Sequence, residues 1–430
     1  MGIFKGFKRF FFKENFEFSR PDVDLDNFHP QLRRLIIPLG IFFNNQDSFI
    51  RFLNPVLNST MVLIAVVMEV IFVTHGIKTV DYSFSTECFC YLVMLLYVPV
   101  LYFSVLVNKD SMLEILDQME GDFKFICNLD DKHRDHFLKR QLLIWQFCLI
   151  WMATISTVAC LIGLRTLIPL TYQTLISTHD EHTIRPLLFP VWLPEDDPYR
   201  TPNYEIFLFF QMYFLWMFVQ SFGVNVYIQF HMLIHNYTIL ELVIIDFEMI
   251  FEDLDKNVVY LSRYHPRRVL TQRIFNKRIQ RIVAWHDSVF TSFDNLSSIQ
   301  GPVICYQVLF SPIAVCLMMF QIADKLEGGK IDIYFAVLLS VSTFQLWMPC
   351  YLGSLLRNKG FNVGVACWNS GWNTTPLARM IRNDISIVMS RAQQPLSMKF
   401  FCLPDLTLET FSSIMSSAYS YFNMIRQSNN

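Results

Sequence analysis

Polar and apolar positions along this chain fall into long blocks. About 20 mostly apolar residues are what a helix needs to cross a hydrocarbon core, and six such runs stand out, at 52–74, 84–107, 142–164, 204–228, 301–320 and 332–353. A seventh segment, 407–426, is patterned differently. Glu409, Ser413, Ser416, Ser420, Asn423 and Gln427 recur at steps of three and four, against Phe411, Met415, Ala418, Phe422 and Ile425. Those steps put the first set on one helical face and the second on the other. A spanning helix with one wet face borders water or a partner helix, so the stripe marks a candidate ion pathway. Close packing between helices is the competing explanation, because small hydroxyl residues let helices approach.

The segments between spans are a 34-residue connection, a loop at 165–203, and polar stretches at 229–300 and 354–406. Neither an internal repeat nor a low-complexity tract interrupts them, which predicts one domain over 1–430. Backbone that crosses lipid must satisfy its own hydrogen bonds. The expected fold is therefore all-α, a polytopic bundle of seven transmembrane helices. Composition agrees: 53% of residues are hydrophobic, 17% are charged and mean hydropathy is +0.33, whereas globular domains carry about 25% charged residues. The net charge of -2 favours neither nucleic acid nor an acidic substrate.

Orientation rests on the first 51 residues, which hold eight Lys and Arg and no cleavable signal pattern. Such a tail predicts a cytoplasmic N-terminus, and seven spans then leave the C-terminus extracellular. The 165–203 loop would lie outside, with 229–300 and 354–406 inside. One observation opposes this: the Asn-x-Ser/Thr acceptors at Asn58, Asn236, Asn295 and Asn373 all avoid the 165–203 loop. Glycosylation at Asn295 or Asn373 would invert the topology.

Catalytic signals are sparse, and the chain does not read as an enzyme. It has no Gly-x-Ser-x-Gly elbow, His-Glu-x-x-His pair, glycine-rich phosphate loop or Cys-x-x-Cys pair, and no cofactor is expected. His179-Asp180-Glu181-His182 has metal-compatible spacing, but an exposed polar loop explains it equally, and no metal site is assigned. Asp130, Asp131, His133, Asp135 and His136 read as a solvated connector. The ten cysteines avoid the 165–203 loop, so the loop-to-third-helix disulfide usual in G-protein-coupled receptors cannot form. Asp-Arg-Tyr after span three and Asn-Pro-x-x-Tyr in the seventh are also missing. Seven helices here do not imply G-protein coupling.

Candidate binding residues come from aromatic faces. Phe207, Phe210, Gln211 and Phe214 share one face of span four, with Trp151 and Thr154 on span three, Tyr91 on span two and Tyr334 on span six. Together they describe an apolar pocket with few polar groups, the usual form of a small-molecule site; packing or lipid contact is the alternative. In the 165–203 loop Pro186, Pro190, Pro194, Pro198 and Pro202 recur every four residues. That spacing forbids a regular helix and stiffens the chain. Leu187, Leu188, Phe189, Val191, Trp192 and Leu193 would then face the bundle as a cap, or anchor the loop at the membrane interface. The first span carries Asn54, Asn58 and Glu69.

The last sixty residues are the most specific. Pro395-Leu396, Leu406 to Phe411, and Ala418-Tyr419-Ser420-Tyr421-Phe422 with Arg426 resemble the closing signature of insect odorant receptors. Cys367-Trp368, Leu377-Ala378-Arg379 and Met389 to Ala392 are similar to the family's cytoplasmic helix before its last span. Pro202-Asn203-Tyr204-Glu205 resembles the end of its second outer loop, most like receptors of moths. Gustatory receptors, by contrast, close on Thr-Tyr and, five residues later, Gln-Phe; here Ala418-Tyr419 precede Ile425-Arg426.

The resemblance implies a ligand-tuning subunit that joins a shared co-receptor subunit in a tetrameric, odorant-gated cation channel. It would sit in the plasma membrane of olfactory sensory neuron dendrites, bind an apolar volatile, with a moth sex-pheromone component as one candidate, and conduct cations through a pore of last helices. Residues 372–400 would form an assembly surface. A metabotropic chemoreceptor or a solute transporter is the rival class. A transporter more often shows broken spans paired between two related halves, a pattern missing here.

Overall fold

The computed structural model describes residues 8–14, 16, 23–41, 50–176, 185–194, 197–329, 332–398 and 405–429. Among them the regular structure is helical throughout. The apolar runs become α1 (Ile50–Lys78), α2 (Tyr82–Val107), α4 (Asp131–Ile176), α5 (Asn203–Phe218), α7 (Pro266–Glu327) and α8 (Ile333–Asn369), with α3 (Lys109–Cys127) between α2 and α4. A π-helical turn, Val219–Gly223, joins α5 to α6 (Val224–Glu248), and α9 (Arg382–Ala392) precedes α10 (Leu408–Asn429). Six helices, with α5 and α6 counted as one, are long and apolar enough to cross a membrane. The seventh segment is a helix, as its pattern predicts, but too polar to meet that criterion.

Local sequence sets the helix starts. The Asp81 carboxylate accepts from Phe84 N at 3.0 Å and Asp332 from Tyr334 N at 3.0 Å, each satisfying an orphan amide in a first turn. Thr407 caps α10 as its position suggests, its hydroxyl accepting from Thr410 N at 3.3 Å. Pro55, Pro99, Pro169, Pro302, Pro312 and Pro349 lie inside helices, a tolerance that neighbouring helices provide in membrane bundles.

The stretch 229–300, read from sequence as a long polar loop region, is mostly helix. α6 carries span four onward to Glu248, and α7 starts at Pro266, well before the apolar run at 301. The middle of the stretch, around 249–267, is largely exposed, while polar groups on α6 pair across helices. Asn225 Nδ2 donates to Tyr97 Oη at 2.8 Å, Gln229 Nε2 to Gln300 Oε1 at 2.8 Å, and Asn236 Nδ2 to Ser292 Oγ at 3.0 Å. Buried polar groups must be satisfied, and these fix the register of α6 among its neighbours.

In the connector at 130–136, Asp130, Asp131 and Asp135 are exposed as a solvated face requires, but the two histidines are engaged by another helix. His133 is buried and its ring faces Asp246 at 3.0 Å, while Arg281 holds the same carboxylate. His136, Arg140 and Lys359 converge on Glu241 at 3.0, 2.7 and 3.3 Å. These ion pairs tie α4, α6, α7 and α8 together at the bundle end away from the Pro-rich loop. The N-terminal segment closes the same end: Phe28, Leu32 and Ile36 are fully buried, and His29 meets Gln141 at 3.0 Å. Burial, then the neighbouring His231 and Lys13, holds the His29 ring well below the usual histidine range.

Candidate functional site

A cavity of about 130 Å³ lies under the Pro-rich loop, between α1, α2, α4, α5 and α8. Its wall is almost wholly apolar. Tyr91, Phe207, Phe210, Gln211, Phe214 and Tyr334, six of the eight candidate binding residues, line it. Trp151 and Thr154 do not. The Trp151 indole stacks on Phe344 with ring centroids 5.1 Å apart and donates to Gly223 O at 3.0 Å, which ties α4 to the π-turn. Thr154 is exposed and does not reach the cavity. Ile155, Val158 and Ile162 supply the wall instead.

The loop forms the lid. Phe189, Pro190 and Val191 line the cavity, Phe189 sits 4.7 Å from the Tyr91 ring, and Trp192 stacks on His75 at 3.8 Å. The apolar loop residues therefore turn inward, as a cap requires. Gln211 holds them. Its Oε1 accepts from Leu188 N at 2.7 Å and Phe189 N at 3.3 Å, and its Nε2 donates to Phe189 O at 3.0 Å. One buried amide thus satisfies three backbone groups of a segment whose prolines deny it internal partners. Tyr204 Oη donates to Pro186 O at 3.1 Å beside it.

Above the lid is a polar vestibule of about 220 Å³, sharing Ile162, Phe189, Pro190 and Tyr334 with the cavity. Lys325 bridges Asp332 at 2.9 Å and Glu87 at 3.6 Å, and Arg165 approaches Asp332 at 3.9 Å. Burial raises the Asp332 carboxyl, but the hydrogen bond and charge of Lys325 outweigh it and hold the group below its ordinary range. Phe189 and Tyr334 stand between the charged and apolar compartments. The aromatic faces of spans two, four and six were readable from sequence; the contributions of α1 (Ala65, Met68, Glu69 and Phe72) were not, although Glu69 was visible as a carboxyl inside an apolar run.

α10 presents its two faces as its periodicity predicts. Ala418 is fully buried and Ile414 nearly so, against α7 and α8. Glu409, Ser413, Ser416, Ser420 and Gln427 are exposed and Asn423 is half-buried, so the polar stripe is not covered by the rest of the chain. Ser420 Oγ donates to Ser416 O at 3.0 Å, and Ser417 Oγ to Ser413 O at 2.9 Å. Within the closing motif Tyr419 and Tyr421 point outward, Ser420 lies on the stripe, and Phe422 is half-buried. Gly353 of α8 abuts the chain entering α10: a Cβ there would stand 2.5 Å from Leu406 O. Ser354 Oγ accepts from Leu408 N at 2.9 Å at the same crossing.

The remaining sequence candidates separate cleanly. His179 to His182 lie outside the described residues. Asn58 and Asn236 are fully buried, Asn58 between Tyr102 and Tyr213, so neither acceptor is open to glycosylation in this fold. Nine cysteines among the described residues are free thiols.

Comparison with known proteins agrees with this architecture. The family model described as 7tm Odorant receptor matches residues 82–419. Odorant receptor 13a of Drosophila melanogaster is 25% identical over 167 residues, 36% of this chain and 40% of that protein. Odorant receptor 10 of Aedes albopictus is 22% identical over 245 residues, 57% of this chain and 61% of that one. The chain thus spans less than two thirds of the length of these curated relatives. The olfactory receptor OR5 of Machilis hrabei in complex with eugenol superposes with a TM-score of 0.70 at 15% identity, covering 93% of this chain and 98% of that one. Without that ligand the same receptor gives a TM-score of 0.68. With most of its length matched by the family model and its fold shared with an insect olfactory receptor, the chain belongs to the insect odorant receptor family.

Proposed function

We propose that this chain is the ligand-tuning subunit of a heteromeric, odorant-gated cation channel, with a volatile bound in the cavity beneath the Pro-rich loop. The observation that carries the reading is that cavity: an apolar, lidded space beside the π-turn, in a family whose members are odorant receptors. Its volume of about 130 Å³ compares with the roughly 150 Å³ apolar cavity that admits benzene in another protein. It suits a compact volatile. A long unbranched pheromone chain would have to open the Phe189 and Tyr334 partition and extend into the vestibule. That a receptor of this fold is known in complex with eugenol supports a ligand of this size.

In this reading α10 is the seventh span, the N-terminus is cytoplasmic, and the loop end of the bundle faces outward. The uncovered stripe from Glu409 to Gln427 faces the stripes of neighbouring subunits, its hydroxyls and amides replacing part of a cation's hydration shell. Residues 372–400 and the helical ends of 229–300 form the cytoplasmic assembly region with the co-receptor. Ligand binding opens the channel only through a difference in affinity between closed and open states. Motion transmitted by α8 reaches α10 at the Gly353 and Leu406 crossing.

The test is expression with and without an insect odorant co-receptor under voltage clamp, with a panel of volatiles. Odour-evoked cation current that needs both subunits is expected. A second-messenger response without current would place the chain with metabotropic receptors, and current from this chain alone would refute the heteromeric arrangement.

A further inference from the structure

We infer that Glu69 is the polar-group reader of the cavity, selecting compact volatiles that carry a hydroxyl or carbonyl oxygen over hydrocarbons of the same shape. This rests on the cavity being the ligand site. Glu69 lies on α1 among Ala65, Met68 and Phe72, one helical face at steps of three and four, and all four line the cavity. The residue is 8% exposed, and its Oε2 is buried without a hydrogen-bond partner. The Cys88 thiol of α2 lies beside the carboxyl.

The other polar groups at the cavity are already engaged. Gln211 spends its amide oxygen and nitrogen on the lid backbone, and the Tyr91 hydroxyl donates to Glu87 Oε1 at 3.3 Å. Thr154, a polar candidate from the sequence, is exposed and does not line the cavity. With Cys88 engaging the carboxyl, Oε2 is still left bare, and a carboxyl oxygen left unpaired inside a membrane bundle is costly and marks a functional position. A ligand oxygen relieves that cost in either direction: a carbonyl or hydroxyl oxygen accepts from the carboxyl O–H, and a ligand hydroxyl donates to Oε2. A hydrocarbon fills the same volume and leaves Oε2 bare. Discrimination by an unpaired buried polar group exceeds what pocket size alone gives.

The experiment uses the full chain with its co-receptor and matched probes: benzyl alcohol and benzaldehyde against toluene, and hexanol and hexanal against hexane. Glu69→Leu should raise the half-maximal concentration of the best oxygenated probe roughly tenfold, about 1.4 kcal/mol, while toluene or hexane responses stay within about twofold. Glu69→Gln keeps a donor and an acceptor and should restore the oxygenated response to within about threefold of the parent. Surface labelling confirms that each variant reaches the membrane. If Glu69→Leu fails to reach it, Glu69→Gln and Glu69→Met carry the same comparison.

An equal shift for oxygenated probes and hydrocarbons would overturn the proposal, since Glu69 would then act through packing. So would a parent channel silent to all four oxygenated probes, or one answering benzylamine while ignoring them. Phe210→Ala separates this from failure of the site itself. If Phe210→Ala alters responses and Glu69→Leu shows no selectivity, the cavity stands and the reader falls; if neither alters any response, the site falls.

Discussion

Replacing Gln211 by Leu tests whether the Pro-rich loop is a lid that the bundle must hold shut. The substitution keeps the side-chain bulk and removes one acceptor and one donor. Of the three hydrogen bonds from Gln211 to the lid, those at 2.7 and 3.0 Å have full geometry; the third, at 3.3 Å, is weaker. At about 1 kcal/mol for each of the two strong bonds, docking of residues 186–191 loses about 2 kcal/mol. Apparent affinity falls with the fraction of subunits whose lid is closed, and about 2 kcal/mol corresponds to as much as thirtyfold. The assay is the concentration dependence of volatile-evoked current from the heteromer, normalised to surface protein. Half-maximal concentration should rise by roughly ten- to thirtyfold for every active ligand, because a lid contact does not read ligand chemistry. Thr154→Val, on the exposed side of α4, should leave it unchanged. An unaltered response of Gln211→Leu at full surface expression would refute the lid.

Other consequences follow from individual side chains. Gly353→Ala forces the chain at Leu406 to move, since a Cβ would meet its carbonyl at 2.5 Å; overpacking of this kind costs about 1–3 kcal/mol, and maximal current should fall while surface expression is kept. Glu241→Ala leaves Arg140, Lys359 and His136 without their common anion, so thermal unfolding in detergent should show a loss of about 2–4 kcal/mol, with Glu241→Gln intermediate. At the N-terminus burial lowers the Lys13 ammonium from 10.5 to about 8, and the side chain lies 4.2 Å from the ring centroids of Phe28 and Trp145. Between those two pH values the undocked segment binds more protons than the docked one, so docking strengthens as pH rises from 8 towards 10. Hydrogen exchange of the Leu25–Ile36 amides, corrected for intrinsic rate, should slow across that window in the parent chain and stay flat in Lys13→Met.

How far the sequence revealed this structure depended on whether one helix could carry the signal alone. The apolar runs and the two-faced pattern of α10 are properties of single helices, and they appear where the periodicity puts them. The length of α6 and α7 was hidden, because Asn236, Glu241 and Asp246 look solvated until their partners Ser292, Arg140 and His133 are brought from other helices. Helix rotation was hidden for the same reason. Trp151 and Thr154 share the apolar run of α4, yet the π-turn claims the indole and turns Ile155 and Val158 to the cavity. Glu69 stood out as a polar residue in a span; only the approach of α2, α5 and the loop makes it part of a binding wall.

The central claim is that the uncovered face of α10 borders the ion path. In a Cys160→Ser background, which removes an exposed native thiol, single cysteines at Ser413, Ser416 and Ser420 would be treated with a charged, water-soluble thiol reagent during odour-evoked current. Modification at these three positions should change the current, faster with ligand present, while a cysteine at the buried Ala418 stays inert. Protection of all three positions in both resting and activated channels would contradict it.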